Sequence, residues 1–335
     1  MRLSALGDVC HCIALVRTLQ RAFPDASITW IIGRSEHRLA EAMGGVEFIV
    51  LDKKTGRRGR RSVRRALRGR RFDVLLQAQV SARASLLSLS VRADRRIGFD
   101  RDRSREGHGL VVNERIRAVP LQHQAEAMLE FARALGAATD GIDRAPPVAE
   151  RDREFARIHQ PEADRAVLIS PCSSHPGRNW SAERYAAIAD HIIERHGRPV
   201  ILVGGPSRIE RQTADAIAAA MTRDALDLVG QDTLGQALAM LERAACLIAP
   251  DSGPVHFAAA LGTPVVGLYA ATWSKRSGPL GSLEHCVDRF PEAARRFMGK
   301  APEDLRWGKR IERDGVMDLV TVADVTARID ALLDG

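Results

Sequence analysis

Residues 249–262, APDSGPVHFAAALG, decide the fold, because an apolar run stands on each side of them. Residues 246–249 read as the end of a buried strand and Asp251-Ser252-Gly253 as a tight turn. Pro254 suits the start of a helix, where its missing N–H costs nothing. The helix runs through His256 and stops at Gly262, a residue suited to a left-handed C-terminal cap. Residues 263–268, TPVVGL, form the next strand. A strand, a small-residue turn and a helix N-terminus make a concave anion site, since free N–H groups and the helix dipole point at one spot. The dipole contributes about 0.3–1 kcal/mol to an exposed charge and up to ~2 kcal/mol in a partly buried site. That positions a phosphate without explaining catalysis. The same residues also fit a capped strand–helix junction of any α/β protein.

At 335 residues the chain exceeds one ordinary core, so two domains are expected. Hydrophobic residues make up 45% and aromatics only 4%, which fits an α/β protein rich in Ala, Leu and Val. No apolar run reaches the roughly eighteen residues of a membrane helix. Asp8 and His11 interrupt the apolar N-terminal stretch and no cleavage-like site follows, so a secretion signal is excluded and a cytoplasmic location expected. Five scattered cysteines (Cys10, Cys12, Cys172, Cys246, Cys286) do not form a disulfide framework. Cys10-His11-Cys12 points its sulfurs to different sides of a helix and lacks a second ligand pair, so no metal is expected there.

The net charge of +8 is unevenly spread: from Lys53 to Arg71, KKTGRRGRRSVRRALRGRR carries eleven cations and no anion. Such a run forms a solvated face or loop extended by self-repulsion, or it meets an anionic membrane, glycolipid or nucleic acid. Near an acidic bilayer each cation is worth about 1 kcal/mol. Nucleic-acid readers interleave aromatics for stacking, and none occurs before Phe72, so a nucleic-acid partner is disfavoured.

The chain alternates strands and helices on both sides of a break. Met1-Arg2-Leu3 is an apolar stub followed by a loop over residues 4–8 and a helix over 9–23. Strands are expected at 28–32, 46–51, 72–77 and 96–99, with helices at 36–43, 82–89 and 121–135, the last capped by Gly136. Residues 138–164, rich in Pro and charge, read as the linker. Strands then recur at 166–170, 199–203 and 226–229, with helices at 181–196, 208–221 and 234–244. A polar stretch leads to a terminal helix at 322–333. This pattern implies doubly wound parallel sheets, which bind ligands beyond the carboxyl ends of their strands.

The first loop, LSALGDV, has one glycine where a dinucleotide fold wants G-x-G-x-x-G. Neither a P-loop nor a G-x-S-x-G elbow occurs, which disfavours P-loop kinases and hydrolases. What the loop offers is a carboxylate, Asp8, at a helix start. In residues 171–180, PCSSHPGRNW, the hydroxyls of Ser173 and Ser174 and the guanidinium of Arg178 suit phosphate oxygens. No carboxylate pair is placed for magnesium.

RLSALGDV, SSHPGRNW and DSGPVHFAAALGTPVVGLY together resemble glycosyltransferase family 9, the ADP-heptose:lipopolysaccharide heptosyltransferases, over nearly the whole chain. The resemblance implies a GT-B fold, two Rossmann-like domains facing a cleft. Residues 1–150 would bind the acceptor and 151–320 the nucleotide sugar, with a helix within 321–335 packing back on the first domain. By motif, Asp8 matches the general base of an inverting transfer. Ser173, Ser174 and Arg178 match diphosphate contacts, Arg178 standing where the family often has Lys, which keeps the charge and alters the fork. Asp251 matches the residue holding the donor sugar's hydroxyls, Ser252, Gly253 and His256 its neighbours, and Glu210 a ribose contact. Arg105, in GFDRDRSREGH, is the acceptor-binding candidate. The implied donor is ADP-heptose and the acceptor a lipid-anchored anionic glycan, with neither metal nor cofactor, at the inner face of the cytoplasmic membrane through the basic run. Another nucleotide sugar, or a non-catalytic binding protein, are the alternatives. The family pattern has several apolar residues ahead of RLS. Here the first strand is therefore expected as a stub at the sheet centre, unless the start lies upstream of Met1.

Overall fold

The computed structural model describes residues 1–162 and 165–334. It divides into two compact units, Met1–Pro147 and Val148–Gly335, within three residues of the expected boundary.

The first unit contains strands β1 (Ile28–Gly33), β2 (Val46–Leu51), β3 (Phe72–Leu76), β4 (Ala93–Gly98) and β5 (Glu114–Arg115). Its helices are α1 (Leu6–Ala22), α2 (Arg34–His37), α3 (Arg57–Ala66), α4 (Ala82–Ser88) and α5 (Gln124–Arg133). β1 pairs with β2, and β3 with β4 and then β5, all parallel. Residues 1–3 join the two groups as the expected stub. The Arg2 N–H donates to the Ile31 carbonyl at 3.2 Å, the Met1 ammonium to Leu76 at 2.5 Å, and the Ala78 N–H to Met1 at 3.1 Å. Beside the stub lies an apolar cavity of about 400 Å³, lined by Leu15, Leu19, Ile28, Trp30, Phe72 and Leu75.

Two local expectations change. The loop over 4–8 is shorter than read, because α1 already starts at Leu6 and includes Asp8 in its first turn. The arginine-rich run is not extended: residues 57–66 are helix α3. Like charges three and four apart each cost about 0.2–0.5 kcal/mol. Burying Val63 and the following Leu67 returns roughly 1.5–3 kcal/mol each, and packing wins.

The second unit contains β6 (Val167–Ile169), β7 (Val200–Leu202), β8 (Leu226–Asp227), β9 (Cys246–Pro250), β10 (Val265–Tyr269) and β11 (Val287–Asp288). Its helices are α6 (Glu150–His159), α7 (Ala182–His196), α8 (Arg208–Ala220), α9 (Leu234–Arg243), α10 (Gly253–Leu261), α11 (Ser274–Ser277), α12 (Phe290–Met298) and α13 (Val322–Leu333). The sheet order is β11-β10-β9-β6-β7-β8, all parallel, with Leu168 of β6 opposite Ile201 of β7 and Leu247 of β9. Ser181, Ser207, Thr233 and Thr321 cap α7, α8, α9 and α13 by accepting a backbone N–H.

The linker expectation is corrected for residues 150–159, which form α6. Arg153 forms a two-bond ion pair with Glu242 of α9, at 2.7 and 2.9 Å, and Gln160 donates to the Met240 carbonyl. A Cβ on Gly235 would lie 2.3 Å from the Asp152 carboxylate, so a larger residue there would have to displace that side chain. Linker residues 163 and 164 lie outside the described residues. The polar stretch before the terminal helix also holds α12, whose Phe290, Ala293 and Ala294 are buried.

α13 belongs to the second unit, where Val325 and Ile329 are fully buried in the core with Tyr185, Ile188 and Val320. Its apolar face is used by α7 and β10. Replacing Ile329 with Ala is expected to lower the second unit's stability by about 2–5 kcal/mol in urea unfolding. An unchanged midpoint would exclude this packing.

Candidate functional site

In the second unit, the parallel register brings the carboxyl ends of β6 and β9 side by side, Ile169 opposite Ile248. Loop 171–180 leaves β6, and the Asp251-Ser252 turn leaves β9. Trp180 anchors the first loop by donating from its indole N–H to the Val320 carbonyl at 2.9 Å. Ser173 and Asn179 close it further, the Ser173 N–H donating to Asn179 Oδ1 at 2.7 Å. Ser174 stays exposed.

A buried ion pair ties the two loops together. Arg178 Nη1 lies 3.2 Å from Asp251 Oδ2, and both side chains are about one-tenth exposed. Arg178 Nε is 3.2 Å from Glu312 Oε1. Its Nη2, buried, has no hydrogen-bond partner among the described residues, and neither has the buried Ser252 Oγ. Ser252 is the N-cap of α10 without using its side chain as a cap, and Gly262 ends that helix in the left-handed conformation, φ +84°. His256 is buried in its first turn. A Cβ on Gly253 would make only ordinary contact with Phe257 at 3.5 Å, so the protein itself does not demand glycine there.

Glu210 braces the loop after β7. Its carboxylate accepts from the Gly205 N–H at 2.8 Å and the Ser207 hydroxyl at 2.6 Å. Close to it in charge is Asp232, whose Oδ2 is buried without a partner among the described residues. Desolvation, with the Glu210 charge adding, pushes the Asp232 carboxyl up to about 6.

The first unit holds the other candidates. The Asp8 carboxylate is gripped by the Arg2 guanidinium at Oδ2 and by the Gln124 amide at Oδ1. Arg105 is exposed on loop 100–109, which is braced by the Arg103–Asp100 pair at 2.6 Å and by the Arg115–Ser104 bond at 3.0 Å. Cys10 and Cys12 are buried, and burial pushes their thiols up to about 12 and 11.

Also in this unit, Arg60, Arg61 and Arg64 of α3 and Arg83 of α4 line a groove with the exposed Leu86 and Leu89. Arg70 and Arg71, by contrast, are engaged by Glu47 and Asp94.

Sequence reasoning missed Arg2, Gln124, Asp232 and Glu312. Arg2 stands inside the quoted RLSALGDV motif; the others sit in stretches with no motif of their own.

Two doubly wound units, one carrying an anion-suited turn braced by a buried arginine, place the chain in the GT-B fold class. The comparisons narrow this: the model of glycosyltransferase family 9 (heptosyltransferase) matches residues 60–302, and the chain belongs to that family. It is 34% identical over 337 residues to the lipopolysaccharide core heptosyltransferase OpsX of Haemophilus influenzae, covering 99% of this chain and 95% of the relative. The fold matches the family 9 glycosyl transferase structure from Veillonella parvula with a TM-score of 0.80 at 22% identity, covering 99% and 95% of the two chains. It also matches the E. coli heptosyltransferase WaaC with ADP, at TM-score 0.68 and 20% identity, covering 89% and 99%.

The raised Asp232 has a sign that can be tested. The folded state holds this proton more tightly than the unfolded chain, so the group favours folding at acid pH and costs stability as pH rises toward 6 and beyond. Asp232→Asn is expected to raise the melting temperature at pH 7.5 more than at pH 4.5, read by thermal unfolding. An equal change at both pH values would show that the carboxyl is not strained.

Proposed function

We propose that this chain transfers a heptose from ADP-heptose to the inner core of lipopolysaccharide, with inversion at the anomeric carbon and Asp8 as general base. The observation that carries the donor half is the buried Arg178–Asp251 pair, which leaves Arg178 Nη2 and Ser252 Oγ unpartnered at the start of α10. A diphosphate would supply oxygen acceptors to both. The ADP in the solved WaaC structure and the lipopolysaccharide role of OpsX support the donor and acceptor classes.

In the proposed step, the acceptor hydroxyl passes its proton to Asp8 as its oxygen attacks the anomeric carbon. The bond from that carbon to the diphosphate breaks, and ADP leaves with the electron pair. Arg2 and Gln124 orient the carboxylate for this transfer. A positioned base supplies roughly 10²–10⁴-fold, short of the ~10⁶-fold or more that enzymes reach. The remainder falls to positioning and to donors facing the leaving diphosphate: Arg178, Ser173, Ser174, Ser252 and the amides of α10. These supply the charge stabilisation without a metal. Asp251 and His256 would meet the sugar, and the room beside Gly253 lets it approach the backbone. Glu210 would reach the ribose from the loop it braces, and Arg105 would meet an acidic group of the acceptor.

The arginine groove extends this reading to the membrane. No helix among the described residues is long and apolar enough to cross a bilayer, so a lipid-anchored acceptor would be met at the surface. Guanidinium groups there pair with lipid phosphates while Leu86 and Leu89 face the acyl boundary.

Asp8→Ala is expected to lower turnover by at least roughly a hundredfold while calorimetry shows unchanged ADP binding. Unchanged turnover would remove Asp8 from the chemistry. Calorimetry against ADP- and UDP-sugars should select ADP-heptose; preference for another sugar would overturn the donor assignment. Replacing Arg60, Arg61 and Arg64 together by Gln should weaken binding to anionic vesicles about a hundredfold in low salt, at ~1 kcal/mol per cation. Unaltered binding would leave α3 as a solvated face.

A further inference from the structure

Two histidines of α7 and one aspartate of α13 converge on the second unit. Nε2 of His191 lies 2.7 Å, and Nε2 of His196 2.8 Å, from the same oxygen, Oδ1 of Asp330. One ligand atom from each of the three residues lies within 4.8 Å of the others. The imidazole of His196 is almost wholly buried, 5% exposed, and its second nitrogen, Nδ1, faces Oδ1 of Asp334 at 3.3 Å. Arg195 flanks the group, 3.6 Å from Asp330 Oδ2 and 3.1 Å from Asp334 Oδ2.

The protons do not balance for neutral rings. A neutral imidazole donates from one nitrogen only, yet both nitrogens of His196 face carboxylate oxygens. With its proton on Nδ1 toward Asp334, Nε2 presents a lone pair to Asp330, and two lone-pair atoms meet. A second proton on the ring resolves this, and so does a cation among His191 Nε2, His196 Nε2 and Asp330 Oδ1, the three atoms that already converge. Asp334 then takes the place of the outer carboxylate that orients metal-bound histidines through their other nitrogen.

We propose that His191, His196 and Asp330 bind a divalent late transition metal, Zn²⁺ in the first instance, that clamps the terminal helix to α7. Two imidazole nitrogens and one carboxylate oxygen suit Zn²⁺, with water as the fourth ligand. Tetrahedral bonds of about 2.0–2.1 Å place ligand atoms roughly 3.3 Å apart, so each contact widens by about half an ångström. The site stands apart from the proposed donor site. α7 begins just after the Arg178 loop and rises ~1.5 Å per residue, which over its 15 residues carries His196 to the far end of the helix from the proposed donor site.

The full chain, stripped by a chelator and dialysed, is titrated with ZnCl₂ by calorimetry and with CoCl₂ by visible absorption. One Zn²⁺ per chain, a tetrahedral Co²⁺ spectrum and a melting temperature raised by about 5 °C at saturating metal are expected. His191→Gln, His196→Gln and Asp330→Asn should each weaken binding at least tenfold. Circular dichroism and metal-free melting curves establish that each variant is folded. Absence of saturable binding, or equal affinity in all three folded variants, overturns the site.

Discussion

The buried contact between Arg178 and Asp251 is the constraint on which the strand-end loops of the second unit rest. It joins loops that leave neighbouring parallel strands, so register in the sheet becomes geometry at the strand ends. Removing one partner of such a pair typically costs 3–5 kcal/mol, because the other charge is left in a poor solvent. Glu312 shares the load at Nε. Nη2 of the same guanidinium nevertheless remains unsatisfied, a buried donor of the kind that costs about 1–3 kcal/mol until an acceptor arrives. A rigid cradle with an unmet donor is what an anionic leaving group requires.

Asp8 is held differently. Its two partners come from the start of the chain and from α5, more than a hundred residues apart in sequence. Both carboxylate oxygens are thereby engaged, and the first turn of α1 fixes the backbone beneath them. The first unit orients a carboxylate with donors, and the second orients a guanidinium with carboxylates. Each unit presents the charge its half of the proposed reaction uses.

Strands β6, β7, β9 and β10 were legible because fully buried parallel strands are written as unbroken apolar runs. α6 was not: ERDREFARIH carries one buried residue, Ala156, too little for a periodic signal. α3 was hidden by its charge, since its core contribution rests on Gly59 and Val63 alone. The apolar face of α13 was readable, but not which surface covers it. In the site, Asp8, Arg178, Asp251 and Ser252 stood inside motifs. Glu312 and Gln124 act across sequence distances of 134 and 116 residues, and no local pattern encodes such meetings.

The groove of α3 and α4 also has a practical side. Clustered guanidinium groups gain affinity for any polyanion by releasing its condensed counterions, with little regard for identity. On the proposed reading, a soluble polyanion would compete with an anionic glycolipid for this face, most strongly in dilute buffer.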